Sequence, residues 1–189
     1  MHDFLALLEP VLTAVDVACL LIAAPAETQD DALAAVAQPL IAPAQERDVA
    51  VLLPNRPDLA RRLGADGIHL DFRAMAIEDA VRHFRYARKV IGEDGVVGVL
   101  CAEERHAAME LAEVGADYVG FDGTSLEGAA LLAWWGEVMT TPCVGFGSID
   151  ATMAQSLARS GADFIAPDAA TWRSGDPAAG FAALAAAIR

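Results

Sequence analysis

The chain has little cysteine, little basic charge and no long hydrophobic run. Its three cysteines, Cys19, Cys101 and Cys143, are scattered and odd in number, with no Cys-x-x-Cys pair. That pattern excludes a disulfide framework and a thiol zinc site, and it suits a reducing cytoplasm. Lys+Arg number 13 against 27 Asp+Glu, a formal net charge of −14. Neither nucleic acid nor an anionic membrane is expected as a partner, because both require a basic surface. The one early apolar run, Val17 to Ala24, is far too short to span a bilayer. No basic stretch precedes it as a secretory signal requires, so the expected location is cytoplasmic. No linker or charge block divides the sequence either. With 189 residues and 55% hydrophobic content, the chain reads as one domain, residues 1–189, with a generous core.

What the chain does have is a phrase repeated three times. Gly64-Ala65-Asp66-Gly67-Ile68-His69-Leu70-Asp71 is followed by Gly115-Ala116-Asp117-Tyr118-Val119-Gly120-Phe121-Asp122 and by Gly161-Ala162-Asp163-Phe164-Ile165-Ala166-Pro167-Asp168. Each follows a stretch with helical spacing, and its glycine reads as a left-handed helix stop. The short apolar run after it suits a strand buried on both faces. The phrases start roughly 50 residues apart, room for two strand–helix units of about 25 residues each. A repeat of that length marks a recurring supersecondary unit and hence a parallel βα barrel.

Taken in order, helical spacing covers Phe4 to Val15, and Val17 to Ala24 is the first strand. Asp30 to Arg47 is helical, with Pro39 and Pro43 placed to break it in two. Further strands are expected at Val49–Leu53, Gly67–Leu70, Val96–Cys101, in the second phrase, at Pro142–Phe146 and in the third phrase. Helices follow each, the last from Pro177 to Arg189. The expected fold is α/β: a TIM-type (βα)8 barrel lacking the first strand, with seven βα units preceded by a helix. Three arrangements accommodate that count. The seven-membered sheet closes with distortion, a second copy in a homodimer covers the open edge, or the protein starts upstream of Met1.

In its motifs the chain resembles the thiamine phosphate synthase/TenI family of (βα)8 barrels over nearly its whole length. The resemblance rests on Asn55-Arg56-Pro57-Asp58-Leu59-Ala60, the Gly-Ala-Asp phrases, Thr141-Pro142-Cys143-Val144 and Gly147-Ser148-Ile149, with Trp134-Trp135 and Trp172 in support. It implies a role in thiamine metabolism. Synthases of the family join a pyrimidine diphosphate to a thiazole phosphate and expel pyrophosphate with magnesium. The chain departs from that pattern where the chemistry sits. Leu20 to Ala26 lacks the Gln/Arg/Lys cluster of the second strand. Pro54-Asn55 replaces an Asn-Asp pair, and Asp71-Phe72-Arg73-Ala74 replaces Gly-Gln-Glu-Asp, so both magnesium aspartates are gone. The Thr-x-Thr-Lys loop is deleted after Asp122, and Pro167-Asp168 stands where serines bind phosphate. Between Tyr118 and Trp135 there is no histidine for TenI-type tautomerisation.

Candidate site residues follow from strand ends. Asp71, Asp122 and Asp168 hold the same place in the three phrases, so alternate strands bring three carboxylates to one layer. Three oxygen donors there suit a hard cation such as Mg²⁺. Each has a plainer role open to it: starting a solvated loop, pairing with Arg73, or capping the next helix. Gly147 and Ser148 precede a helix whose N–H groups suit an anion, although Ser148 or Asp150 also reads as its cap. Asn55 and Arg56 follow a strand at the ligand-bearing face. Arg73 stands in the loop directly after Asp71, with that acid as its expected partner. Cys101 ends a strand beside His106 and invites a nucleophile reading, but neighbouring acids disfavour its thiolate. His69, inside a strand, reads as a hydrogen-bonded core residue, whereas His2, His83 and His106 read as surface residues. The expected function is that of a divergent family member without normal synthase activity, binding a small ligand at the C-terminal mouth. The alternatives are a non-catalytic structural or regulatory partner, and a metal-dependent enzyme using the three aspartates. A mouth plugged by Phe72, Phe146 and Trp172 favours the partner role.

Overall fold

The computed structural model describes residues 2–101 and 103–189, with side chains from Phe4 onward, so the side chain of His2 lies outside the described residues. The chain runs α1 (His2–Ala14), β1 (Cys19–Leu21), α2 (Asp30–Gln45), β2 (Ala50–Pro54), α3 (Pro57–Leu63) and β3 (Gly67–Asp71). It continues through α4 (Ile77–Ile91), β4 (Val96–Leu100), α5 (Arg105–Glu113), β5 (Tyr118–Asp122), α6 (Leu126–Val138) and β6 (Cys143–Gly147). The last elements are α7 (Ala151–Arg159), β7 (Phe164–Pro167), α8 (Ala169–Trp172) and α9 (Pro177–Ala187). All seven strands are parallel and neighbour one another in chain order. Strands β1 and β7 are the two edges, and no ladder joins them among the described residues. The result is the expected TIM-type sheet with one strand missing, curled but open. Helices α1 and α9 pack together, with Phe4 5.0 Å from Trp172 and Trp172 4.6 Å from Phe181, ring centre to ring centre. Among the described residues, no helix is long and apolar enough to cross a membrane.

The repeated phrase explains the period. Its glycines adopt left-handed conformations, with φ of +74° at Gly64, +101° at Gly115 and +110° at Gly161, and so end the preceding helices. Its aspartates then clasp the neighbouring strand. Asp66 Oδ2 accepts the Val51 N–H at 2.7 Å, Asp117 Oδ2 the Val97 N–H at 2.6 Å, and Asp163 Oδ2 the Cys143 N–H at 2.8 Å. Each aspartate returns its own backbone N–H to the carbonyl of the same residue, at 3.0–3.1 Å. The clasps join β2 to β3, β4 to β5 and β6 to β7, which is why the phrase recurs every second strand. An N–H at the start of a strand that points toward the next strand has no ladder partner until that strand begins, and a charged acceptor satisfies it where burial is costly.

Alternation divides the strand side chains into two layers. Val51, Leu53, Ile68, Leu70, Val97, Val99, Val119 and Phe121 pack outward into the core shared with the helices, which includes Phe84 and Trp135. The other set lines the inside of the curl. There the Tyr118 ring occupies the space over Gly98, where a Cβ would lie 1.9 Å from the ring, and Phe146 covers Gly120 at 2.4 Å. Two expectations need correction. Helix α2 runs unbroken through Pro39 and Pro43, because Leu33, Ala37, Leu40, Ile41 and Ala44 anchor it in the core. Strand β1 is only three residues long, since as an edge it has one neighbour to pair with.

The clasp predicts a stability cost. Asp117→Ala strands the Val97 N–H and frees Arg88, whose Nη2 lies 2.6 Å from Asp117 Oδ2. We expect a loss of about 1.5–3 kcal/mol, the range for a hydrogen bond to a charged group, read as a lowered urea midpoint. Asp117→Asn, which keeps a carbonyl acceptor, is expected to lose less; equal loss in the two variants would show that the acceptor is not what matters.

Candidate functional site at the mouth of the barrel

The C-terminal strand ends carry the residues singled out from the sequence. Asp71 ends β3 level with Leu100, and Asp122 ends β5 level with Phe146. Both belong to the inward-facing set and stand at the rim. Asp71 is tied to Arg73 by three contacts: Arg73 Nη2 to Oδ2 at 2.6 Å, Nε to Oδ1 at 3.0 Å and the Arg73 backbone N–H to Oδ1 at 3.2 Å. The Arg73 guanidinium holds the Asp71 carboxyl below its ordinary range, and Asp71 in turn raises Arg73. Asp122 Oδ1 accepts the Thr124 hydroxyl at 2.6 Å and the Thr124 N–H at 2.8 Å. Those bonds, with a smaller contribution from the field of Arg73, lower the Asp122 pKa. Asn55 Oδ1 accepts the Asp71 backbone N–H at 3.0 Å. Arg56 is held by Asp30 at 3.2 Å and by the Ala26 carbonyl at 2.8 Å.

The three-aspartate cation site does not form. Among the described residues, no three His, Cys, Asp or Glu side chains are placed to hold a metal ion. The reason is local: Asp71 is occupied by Arg73, Asp122 by Thr124, and Asp168 Oδ1 caps α8 through the Ala170 N–H at 2.9 Å. Magnesium, which the family resemblance implies, therefore does not fit this donor set, in which Asn55 also spends its oxygen on backbone. Cys101 is corrected too. It is 2% exposed and sits in the outward core, where burial pushes its thiol up to about 12. At Gly147-Ser148, Asp150 caps α7 by accepting the Met153 N–H at 2.8 Å, while the Gly147 carbonyl accepts N–H groups from Ile149 and Asp168. Ser148 is exposed. Of the expected plugs, Phe72 packs in the outward core and Trp172 against Phe4 and Phe181; Phe146 alone sits inside.

Below the rim lies a group that sequence reasoning reached only in part. His69, a residue read as core, is 6% exposed, and its Nδ1 lies 2.7 Å from the Tyr118 hydroxyl. Its ring is 4.9 Å from that of Phe146. Burial lowers the His69 pKa to about 4 and raises that of Tyr118, so both are neutral near pH 7. The signal that places them together is spacing: His69 and Tyr118 are inward residues of β3 and β5 with only Gly98 between them on β4. This aromatic floor fills the lumen, and the cavity bounded by Ala24, Pro25, Asn55 and Arg56 holds only about 10 Å³. A larger open cleft of about 460 Å³ lies at the opposite end, between Leu12–Val17 and Arg47–Val49.

Sheet and helices define an open parallel βα barrel of the TIM type, with Asp71, Arg73 and Asp122 at its C-terminal rim. Residues 1–169 match the family model described as thiamine monophosphate synthase. The chain is 38% identical over 187 residues to a thiamine-phosphate synthase of Rhodospirillum centenum, covering 94% of this chain and 86% of that one. It is 39% identical over 166 residues to that of Erythrobacter litoralis, covering 82% and 74%. The chain belongs to the thiamine phosphate synthase/TenI family. In fold it is similar to a thiamine phosphate pyrophosphorylase from Pyrococcus furiosus, with TM-score 0.77 at 21% identity over 95% of this chain and 88% of that one. It is also similar in fold to a 3-hexulose-6-phosphate synthase, with TM-score 0.71 at 18% identity over 100% and 94%.

The His69 environment predicts an acid-sensitive slope. A histidine whose folded pKa is lowered gives stability that is complete above its unfolded value near 6.5 and is lost as pH falls through about 4. Between those limits this residue contributes a fall of up to about 1.4 kcal/mol per pH unit. His69→Gln is expected to flatten the stability profile between pH 6.5 and 4 relative to wild type, measured by urea unfolding at a series of pH values. Parallel profiles would mean that His69 titrates normally.

Proposed function

We propose that this protein is a member of its family that does not couple a pyrimidine diphosphate to a thiazole phosphate, and that it binds a small heterocyclic ligand of thiamine metabolism at the mouth. The observation that carries this reading is the engagement of the rim cations. Departure of pyrophosphate needs positive charge and N–H donors placed where negative charge develops. At this rim Arg56 is committed to Asp30 and Arg73 to Asp71. Asp122 and Asp168 add negative charge, which repels phosphate when no cation intervenes. What remains is a polar rim over a His69–Tyr118–Phe146 floor, suited to a flat, neutral ring.

A second reading, a non-catalytic structural or regulatory partner, is favoured by the size of the cavity at Asn55 and Arg56. Its roughly 10 Å³ is far below the roughly 300–1,000 Å³ of ordinary ligand pockets. A ligand therefore requires side chains at the rim to move aside.

Purified protein incubated with both family substrates and magnesium is expected to release no pyrophosphate and to form no thiamine phosphate. Turnover would refute the first half of the proposal. Thermal-shift titration with the unphosphorylated pyrimidine and thiazole, and with their phosphates, tests the second half. A saturable rise in Tm with a neutral heterocycle supports ligand binding, and a flat response to every compound supports the partner reading.

A further inference from the structure

We infer that Arg73 is a resident cation of the mouth: its guanidinium occupies the Asp71 carboxylate at the end of β3, an oxygen donor that a divalent ion would need, and makes the rim metal-independent. The inference rests on geometry that holds whatever the protein binds. Strands β3 and β5 are separated only by β4, so their ends lie two strand spacings apart, about 10 Å. The Arg73 side chain rises directly after Asp71 and grips both of its oxygens in a fork, through Nε and Nη2. A planar guanidinium matches a carboxylate in this way, whereas a point charge does not. The field of the same group also reaches Asp122, each favouring the charged form of the other.

Two consequences follow for a metal ion. A divalent cation entering between Asp71 and Asp122 would have to displace the fork from Asp71. It would then sit beside an arginine that cannot shed its proton at any ordinary pH. Asn55, the remaining oxygen donor near Asp71, is already an acceptor for the Asp71 N–H. The rim therefore excludes the ion through its own built-in charge, and the exclusion rests on one side chain.

The experiment is Mn²⁺ binding to the full chain without any substrate, followed by the loss of the free-ion signal in electron paramagnetic resonance. Wild type is expected to show no saturable binding in the submillimolar range. Arg73→Met, which keeps an unbranched apolar stem and removes charge, is expected to bind Mn²⁺ at least ten-fold more tightly than wild type. Adding Asp122→Asn to Arg73→Met is expected to abolish that gain. Arg73→Gln takes the place of Arg73→Met if the latter does not fold, and Arg73→Lys, which keeps the charge, is expected to remain without bound metal. Saturable binding by wild type that Asp71→Asn weakens would overturn the inference, and so would a charge-removing variant that gains no affinity. Because no substrate is present, these outcomes are independent of whether the protein turns over or binds a heterocycle.

Discussion

The sheet depends on one contact made three times: an aspartate carboxylate that accepts an N–H at the start of the strand beside it. In a parallel barrel each strand starts from a helix on the outside, so an early N–H turned toward the next strand faces a place where that strand has not yet begun. Asp66, Asp117 and Asp163 arrive there from the turn before the next strand and fill it with charge. The left-handed glycine two residues earlier ends the helix at the point that aims the carboxylate. Register follows from this. Asp117 fixes Val97 against the start of β5, and the pairing of Gly98 with Tyr118, Val99 with Val119 and Leu100 with Gly120 continues from it. The level of Asp122 at the rim is thus set two turns of the pleat away, at the opposite end of the strand.

At that rim, electrostatics replaces packing as the deciding force. Below it, the lumen is filled by His69, Tyr118 and Phe146 over Gly98 and Gly120, and burial keeps the titratable pair neutral. Above it, Asp71, Arg73 and Asp122 are partly exposed, and every one is engaged by a neighbour within two residues. Engagement within so short a span needs no long-range organisation. It survives local sequence change in a way that a ligand set gathered from several strands does not.

That contrast explains what could be read from the sequence. The parallel sheet was legible because its determinants are short: three Gly-Ala-Asp phrases, each with its own helix stop and buried run. The Asp71–Arg73 pair was legible for the same reason. The convergence of Asp71, Asp122 and Asp168 was not, because equal places in a repeat fix the strand and the level but not the rotamer, and Thr124 and the Ala170 N–H competed locally for two of the carboxylates. Helix α8 escaped notice because four residues carry no periodicity; Asp168 as its cap was the only mark. The continuity of α2 through two prolines was hidden as well, since a proline signal reports lost hydrogen bonds while the core contacts of Leu40, Ile41 and Ala44 that offset them lie in other strands and helices.

The same physics separates the sheet from its mouth in this chain. The Gly-Ala-Asp phrases build the sheet, because the clasp uses a carboxylate and the left-handed stop a glycine. The rim residues Asp71, Arg73, Asp122 and Asp168 lie at or within a few residues of strand ends, where a loop changes with little cost to the core. A barrel can therefore keep its sheet to the level of individual backbone hydrogen bonds while the side chains at its mouth change. In this protein the rim acids are engaged locally, Asp71 by Arg73, Asp122 by Thr124 and Asp168 by the Ala170 N–H, so each is held by its own loop and not by the sheet.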